Sequence, residues 1–159
     1  MSETTGTPLV IHTDGACLGN PGPGGYAAVW EADDQRRELS GGYKLTTNNR
    51  MELLAVIMAL ETLEDAGNIV VITDSRYVHD AIEKRWLAGW QKRGWVNAEK
   101  KPVKNQDLWR RLIPLLSRNK VKFQWVRGHT GHVDNERCDV LAKQAANRRN
   151  LPADEGYPG

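Results

Sequence analysis

Two aspartates, Asp14 and Asp74, close nearly the same apolar run: Ile11-His12-Thr13-Asp14-Gly15 and Val71-Ile72-Thr73-Asp74-Ser75. If two such strands lie side by side, the carboxylates share one site, and paired negative charges must either hold a proton or bind a cation. Oxygen ligands of this kind suit Mg²⁺. An aspartate after a strand is also a common turn former or helix cap, so either residue alone carries both readings. The agreement of the flanks is what points to a shared metal-dependent site. Two further acids are candidates to join it. Glu52 falls in the first turn of an expected helix, where a surface glutamate would also be stabilised by exposed amides. Asp139 falls near the start of the last expected helix, beside Cys138.

The elements that must bring these acids together can be traced from the hydrophobic pattern. Leu9 to Thr13 reads as an apolar strand, and Gly19-Asn20-Pro21-Gly22-Pro23-Gly24-Gly25 as a loop of tight turns. Tyr26 to Glu31 and Glu38 to Leu45 read as an antiparallel pair, with Ala32 to Arg37 in the turn. Asn48 and Asn49 are cap candidates for a helix to about Leu63, with Met51, Leu54, Ala55 and Met58 at helical spacing. Asn68 to Thr73 is nearly all apolar, the pattern of a central strand buried on both faces. Helices are expected over Ser75 to Arg85 and Asn105 to Leu116, with Pro114 marking an early end or a kink. Val121 to Val126 is a fifth strand, and Asn135 to Asn147 a last helix after the loop Arg127 to His132.

This order predicts an α/β domain with a five-stranded mixed sheet flanked by helices, in which ligands gather at the carboxyl ends of parallel strands. Asp14 and Asp74 stand at such ends. Glu52 joins them if its helix crosses from the third strand to the fourth, and Asp139 if the last helix returns over the same edge.

A chain of 159 residues with 40% hydrophobic content suits one domain with a proper core. The expected limits are 8 to 147, with a disordered stretch over 1 to 7 and a flexible tail over 148 to 159. No run is long enough for a membrane span and the start lacks a signal-peptide pattern, so a cytoplasmic protein is expected. Cys17 and Cys138 read as reduced thiols. A zinc site from His129, His132 and Cys138 would lack a fourth nearby ligand.

The net charge of +2 hides an acidic first half and a basic stretch, in which Lys84, Arg85, Lys92, Arg93, Lys100, Lys101 and Lys104 interleave with Trp86, Trp90 and Trp95. That asymmetry suits a polyanion gripped in one place and cut by cation-loaded acids in another. It equally describes a solvated surface with tryptophans packed beneath it.

Thr13-Asp14-Gly15, Asn20-Pro21-Gly22-Pro23-Gly24-Gly25, Thr47-Asn48-Asn49-Arg50-Met51-Glu52, Thr73-Asp74-Ser75, Gly128-His129-Thr130-Gly131-His132 and Asn135-Glu136-Arg137-Cys138-Asp139 follow in the order and spacing of the bacterial type 1 ribonucleases H. The chain resembles that family over about residues 8 to 147. The resemblance implies a monomeric endonuclease that cuts the RNA strand of RNA/DNA hybrids, leaving a 3′-hydroxyl and a 5′-phosphate. It implies that Asp14, Glu52, Asp74 and Asp139 hold two Mg²⁺ ions, with Mn²⁺ as a substitute, and that His129 relays protons or helps product leave. It also makes the stretch from about 84 to 104 a basic protrusion that cups the DNA strand, with Trp86 on its sugars, Lys92 and Arg93 on its phosphates and Trp109 as a weaker contact. By the same resemblance Cys17, Asn20, Asn48 and Arg76 lie near RNA 2′-hydroxyls, Asn49 near DNA bases and Thr47 near a DNA phosphate. Arg76 departs from the family pattern, in which many bacterial members carry glutamine; arginine donates hydrogen bonds but accepts none.

Overall fold

The computed structural model describes residues 8–32, 34–63, 67–127 and 133–158. Five strands, β1 (Leu9–Cys17), β2 (Gly22–Ala32), β3 (Gln35–Thr46), β4 (Asn68–Thr73) and β5 (Lys120–Trp125), form one sheet in the order β3-β2-β1-β4-β5. The β1-β2 and β2-β3 pairs are antiparallel, while β1-β4 and β4-β5 are parallel. This is the mixed sheet that the hydrophobic pattern predicts. The helices are α1 (Asn48–Leu63), α2 (Arg76–Glu83), α3 (Trp86–Lys92), α4 (Gln106–Arg118) and α5 (Val133–Ala146).

Strand alternation sorts the core into two layers. Tyr26, Ala28 and Trp30 of β2 pack with α1 and α4, whereas Ala27 and Val29 between them pack with Cys138, Leu141 and Ala142 of α5. The helix α1 therefore covers one face and α5 the other. Among the described residues no helix is long and apolar enough to cross a membrane.

Several local expectations are corrected. Gly22 to Gly25 belong to β2 rather than to a loop, because β1 runs on to Cys17 and pairs Ala16 with Gly25 and Cys17 with Gly24. Ladder bonds use backbone groups alone, so the turn-forming composition does not forbid them. The strand β4 is interior but not buried on both faces: Ile69, Val71 and Thr73 are buried, while Val70 and Ile72 are only partly so. The central position belongs to β1. The helix α2 stops before Arg85, whose φ of 61° is left-handed, and the separate short helix α3 follows.

Pro114 does not end α4, which continues to Arg118. The residues after 147, expected as a loose tail, pack back on the domain: Lys44 N–H donates to Pro152 O over 2.9 Å, and Asp154 pairs with Arg50. A buried arginine needs acids, and the two that meet it, Asp107 and Asp154, lie 57 and 104 positions away, where no local pattern signals them.

Candidate active site

The parallel register pairs His12 with Ile72, so Asp14 and Asp74 stand two positions beyond equivalent residues on neighbouring strands and point to the same side. There β1 parts from β4 while remaining paired with β2 as far as Cys17. The capping alternative for Asp74 is excluded, since Ser75 caps α2, its hydroxyl accepting from Val78 N–H over 3.1 Å. The Trp125 indole N–H donates to the Asp74 carbonyl over 3.0 Å and pins the strand end.

Glu52 arrives from α1. It is not a surface glutamate: only 5% of it is exposed. Gly15 decides this, because a Cβ there would overlap the Glu52 backbone nitrogen and the Met51 carbonyl carbon, so only glycine lets α1 lie directly on β1. One ligand oxygen from each of Asp14, Glu52 and Asp74 lies within 4.8 Å of the others. Around an octahedral Mg²⁺ opposite oxygens are about 4.2 Å apart and adjacent ones about 3 Å, so three acids sharing one ion would draw closer together on binding it.

Burial is the main force acting on these acids. It pushes the Asp14 carboxyl up to about 8, assisted by the charges of Asp74 and Asp139 and opposed by the Gly15 N–H, which donates to Asp14 Oδ1 over 2.9 Å. Burial likewise holds Glu52 well above the usual carboxylate range, with Asp14 and Asp74 adding repulsion. Among the described residues Glu52 Oε2 is buried without a hydrogen-bond partner. An oxygen in that condition is costly unless a proton or a metal cation meets it, and three clustered carboxylates suit a hard divalent cation.

Asp139 on α5 adds its charge to the environment of Asp14 but stands outside the three-acid cluster. Its Oδ2 pairs with Lys143 Nζ at 3.0 Å, one helical turn on. His129 and His132 lie outside the described residues. Cys138 is buried, its thiol donates to His12 O over 3.1 Å, and burial raises its pKa strongly, a poor state for a metal ligand.

The other sequence candidates fall into three places. The first is a pocket of about 680 Å³ lined by Asn20, Thr47 and Asn49, among others. Acceptors at its edge are turned inward: Asn20 Oδ1 takes the Asn48 N–H at 3.0 Å, and Thr47 Oγ1 takes the Arg50 N–H at 3.3 Å. The Asn20 amide N–H₂ and the Thr47 hydroxyl proton are thereby left to donate, which favours an anionic guest. Cys17 sits behind this rim, its thiol 3.4 Å from Gly22 O and Thr46 O.

Second, Arg76 is exposed and its guanidinium stacks on the Trp125 ring, 4.1 Å from the centroid. Trp125, which the sequence did not single out, thus touches both Asp74 and Arg76; its alternation with Phe123 signalled only a strand residue.

Third, Trp86, Lys92 and Arg93 are exposed on and beside α3. Trp109 is corrected: it is completely buried, its indole N–H donates to the Tyr77 hydroxyl over 3.0 Å, and it packs edge-on against Trp90, so it supports the basic segment from within rather than touching a ligand. Trp109→Ala is expected to cost about 3 to 5 kcal/mol of stability, whereas Trp86→Ala should leave the melting temperature nearly unchanged. Thermal unfolding of both variants checks this, and equal losses would contradict the assignment.

A family model described as RNase H matches residues 6–147. The Ribonuclease H of Nitratidesulfovibrio vulgaris strain DP4 is 60% identical over 149 residues, 94% of this chain and 96% of that one. This chain belongs to the RNase H family. The Ribonuclease H of Syntrophus aciditrophicus is 53% identical, covering 94% of this chain and 87% of its own length. Among solved structures, LC9-RNase H1, described as a type 1 RNase H with the type 2 active-site motif, superposes with a TM-score of 0.76 at 33% identity, over 91% of this chain and 74% of that one.

LC11-RNase H1, solved in complex with an RNA/DNA hybrid, shares the fold with a TM-score of 0.65 at 24% identity, over 87% of this chain and 96% of its own. Within the RNase H family this chain is of the bacterial type 1 kind, an endoribonuclease and a hydrolase.

Proposed function

We propose that the chain hydrolyses the RNA strand of RNA/DNA hybrids with two divalent cations, Mg²⁺ with Mn²⁺ as a substitute, leaving 5′-phosphate and 3′-hydroxyl ends. The observation that carries this reading is the cluster of Asp14, Glu52 and Asp74, with a buried carboxylate oxygen that lacks a hydrogen-bond partner. Two such ions, when bound, lower the pKa of an attacking water and stabilise a leaving 3′-oxygen.

The residues divide the remaining work. Asp14, Glu52 and Asp74 hold cationic charge at the carboxyl ends of β1 and β4. Asp139 completes the set once it exchanges Lys143 for a cation. His129 relays protons or helps product leave, roles for which an imidazole is suited. Cys17, Asn20, Asn48 and Arg76 meet the RNA strand, where 2′-hydroxyls in the shallow groove distinguish RNA from DNA. For Arg76 the contact is donation only, from a guanidinium held on Trp125. Thr47, Asn49, Trp86, Lys92 and Arg93 hold the DNA strand. We place the protein in the cytoplasm as a monomer.

Labelled RNA/DNA hybrid, duplex DNA, duplex RNA and single-stranded RNA, each with and without Mg²⁺, test the reading. Hybrid should be cut at internal RNA positions only when the cation is present; uncut hybrid with Mg²⁺ would refute it, and efficient cutting of duplex DNA would favour a DNA-processing relative of this fold. Replacing Lys92, Arg93 and Lys100 together by alanine should raise KM, flatten its dependence on salt and leave kcat within about threefold. Each phosphate that is no longer neutralised lowers the log-log salt slope by about 0.9 on a B-form duplex, so an unchanged slope places this stretch off the substrate path.

A further inference from the structure

Beyond the match to the family model at residue 147, the chain returns to the substrate side of the molecule. Arg50, only 1% exposed, is the anchor. Its Nε donates to Asp154 Oδ2 over 2.7 Å and Nη2 to Asp154 Oδ1 over 3.0 Å, while Nη1 and Nη2 donate to the two oxygens of Asp107 over 2.8 and 2.7 Å. The Thr46 hydroxyl also donates to Asp154 Oδ2 over 2.7 Å.

Gly156 then passes so close to this cluster that a Cβ would overlap Asp107 Oδ2 and crowd Arg50 Nη2. The segment is seated by both charge and shape. If it were only a staple, its end would cover core. Instead Tyr157 and Pro158 line the open pocket of about 680 Å³ together with Asn20, Thr47, Asn49 and Lys104.

We propose that residues 152–158 are part of the substrate-binding surface, with Tyr157 touching the DNA strand of the hybrid at the pocket it shares with Thr47 and Asn49. This rests on the reading given under Proposed function. The pocket presents hydrogen-bond donors and the cationic Lys104, and the Asp107 carboxylate in its lining is paired with Arg50, an arrangement that suits a backbone phosphate. A half-buried tyrosine beside it supplies one more donor and a ring face for the adjoining sugar. Asp154 is a positioning residue: it touches no substrate, but through Arg50 it ties the tail to the start of α1, which carries Asn49.

The experiment compares wild type, Tyr157→Phe, Tyr157→Ala and Asp154→Ala on a hybrid substrate, measuring kcat, KM, the salt slope and the melting temperature. Tyr157→Ala should raise KM by more than the roughly fivefold of one ordinary hydrogen bond, because the ring contact is lost as well, with kcat and melting temperature close to wild type. Its salt slope should not change, because the group removed is neutral. Tyr157→Phe should show a smaller rise, and Asp154→Ala should raise KM while also lowering the melting temperature. Wild-type KM in both Tyr157 variants, with a lower melting temperature in Asp154→Ala, would make the segment a staple only and overturn the proposal. Failure of wild type to cut hybrid would instead remove the reading on which it rests, so the two failures are told apart by the wild-type measurement.

Discussion

Asp14→Asn is expected to lower kcat by more than about 100-fold, since even groups that merely support a metal ligand are worth about 10- to 100-fold. The same variant should melt higher than wild type when no divalent cation is present. Both results come from one crowded cluster. Asp14 is buried beside Glu52 and Asp74, and its carboxyl holds a proton up to about pH 8 rather than releasing it near the ordinary 3.8.

In the cation-free protein the folded state therefore binds more protons than the unfolded chain between these values. Stability contributed by this group is complete below 3.8 and is lost as pH rises through about 8. Asparagine does not titrate. Its advantage should grow as pH rises from about 4, be complete above about pH 8, and vanish toward pH 4. Adding Mg²⁺ should narrow the gap by stabilising wild type. Hybrid binding should survive, because the basic segment around α3 is untouched. Melting curves at several pH values, with and without Mg²⁺, check the thermal half; a variant no more stable than wild type at pH 8 would contradict the account of crowded acids.

Gly15→Ala should be damaging out of proportion to one methyl group. The added Cβ meets backbone atoms of Met51 and Glu52, which cannot turn aside as a side chain can. The helix α1 must then shift off β1, disturbing Met51, Leu54 and Ile57, which are all at most 2% exposed, and carrying the Glu52 carboxylate away from Asp14. Overpacking of side chains costs about 1 to 3 kcal/mol, and a backbone collision should cost about 3 kcal/mol or more.

Activity should fall with it even well below the melting temperature, because Glu52 is no longer within reach of a shared cation. Measured Mg²⁺ dependence separates the two effects: a displaced ligand raises the concentration needed for half-activation. A variant that is merely less stable, with the wild-type cation requirement, would show that α1 stays in place.

Repetition and periodicity made much of this molecule legible. The matched flanks of Asp14 and Asp74 announced two similar strand positions and strand register turned them into neighbours, although β1 does not stop at Asp14 but runs on to Cys17. The apolar spacing within 48 to 63 announced α1, and the alternation of Val121, Phe123 and Trp125 announced β5. These features are written in contiguous residues, where φ/ψ preference and side-chain spacing act locally.

What the chain alone left open depended on partners distant in sequence. Glu52 and a surface glutamate look alike at a helix start; only the close approach that Gly15 permits buries it. Trp109 and Trp86 look alike along the chain, yet Tyr77 and Trp90 enclose one and leave the other outside. The Gly22 to Gly25 run became strand because β1 offered it backbone partners, and the polar tail was drawn in because Arg50 needed a carboxylate. The sequence by itself determined which residues could form strands, helices and a cation-seeking group of acids, since those properties follow from local geometry and charge. Tertiary structure alone decided which acids meet, which aromatics face solvent and where the chain's end lies, since burial and long-range charge pairing exist only after the chain has packed.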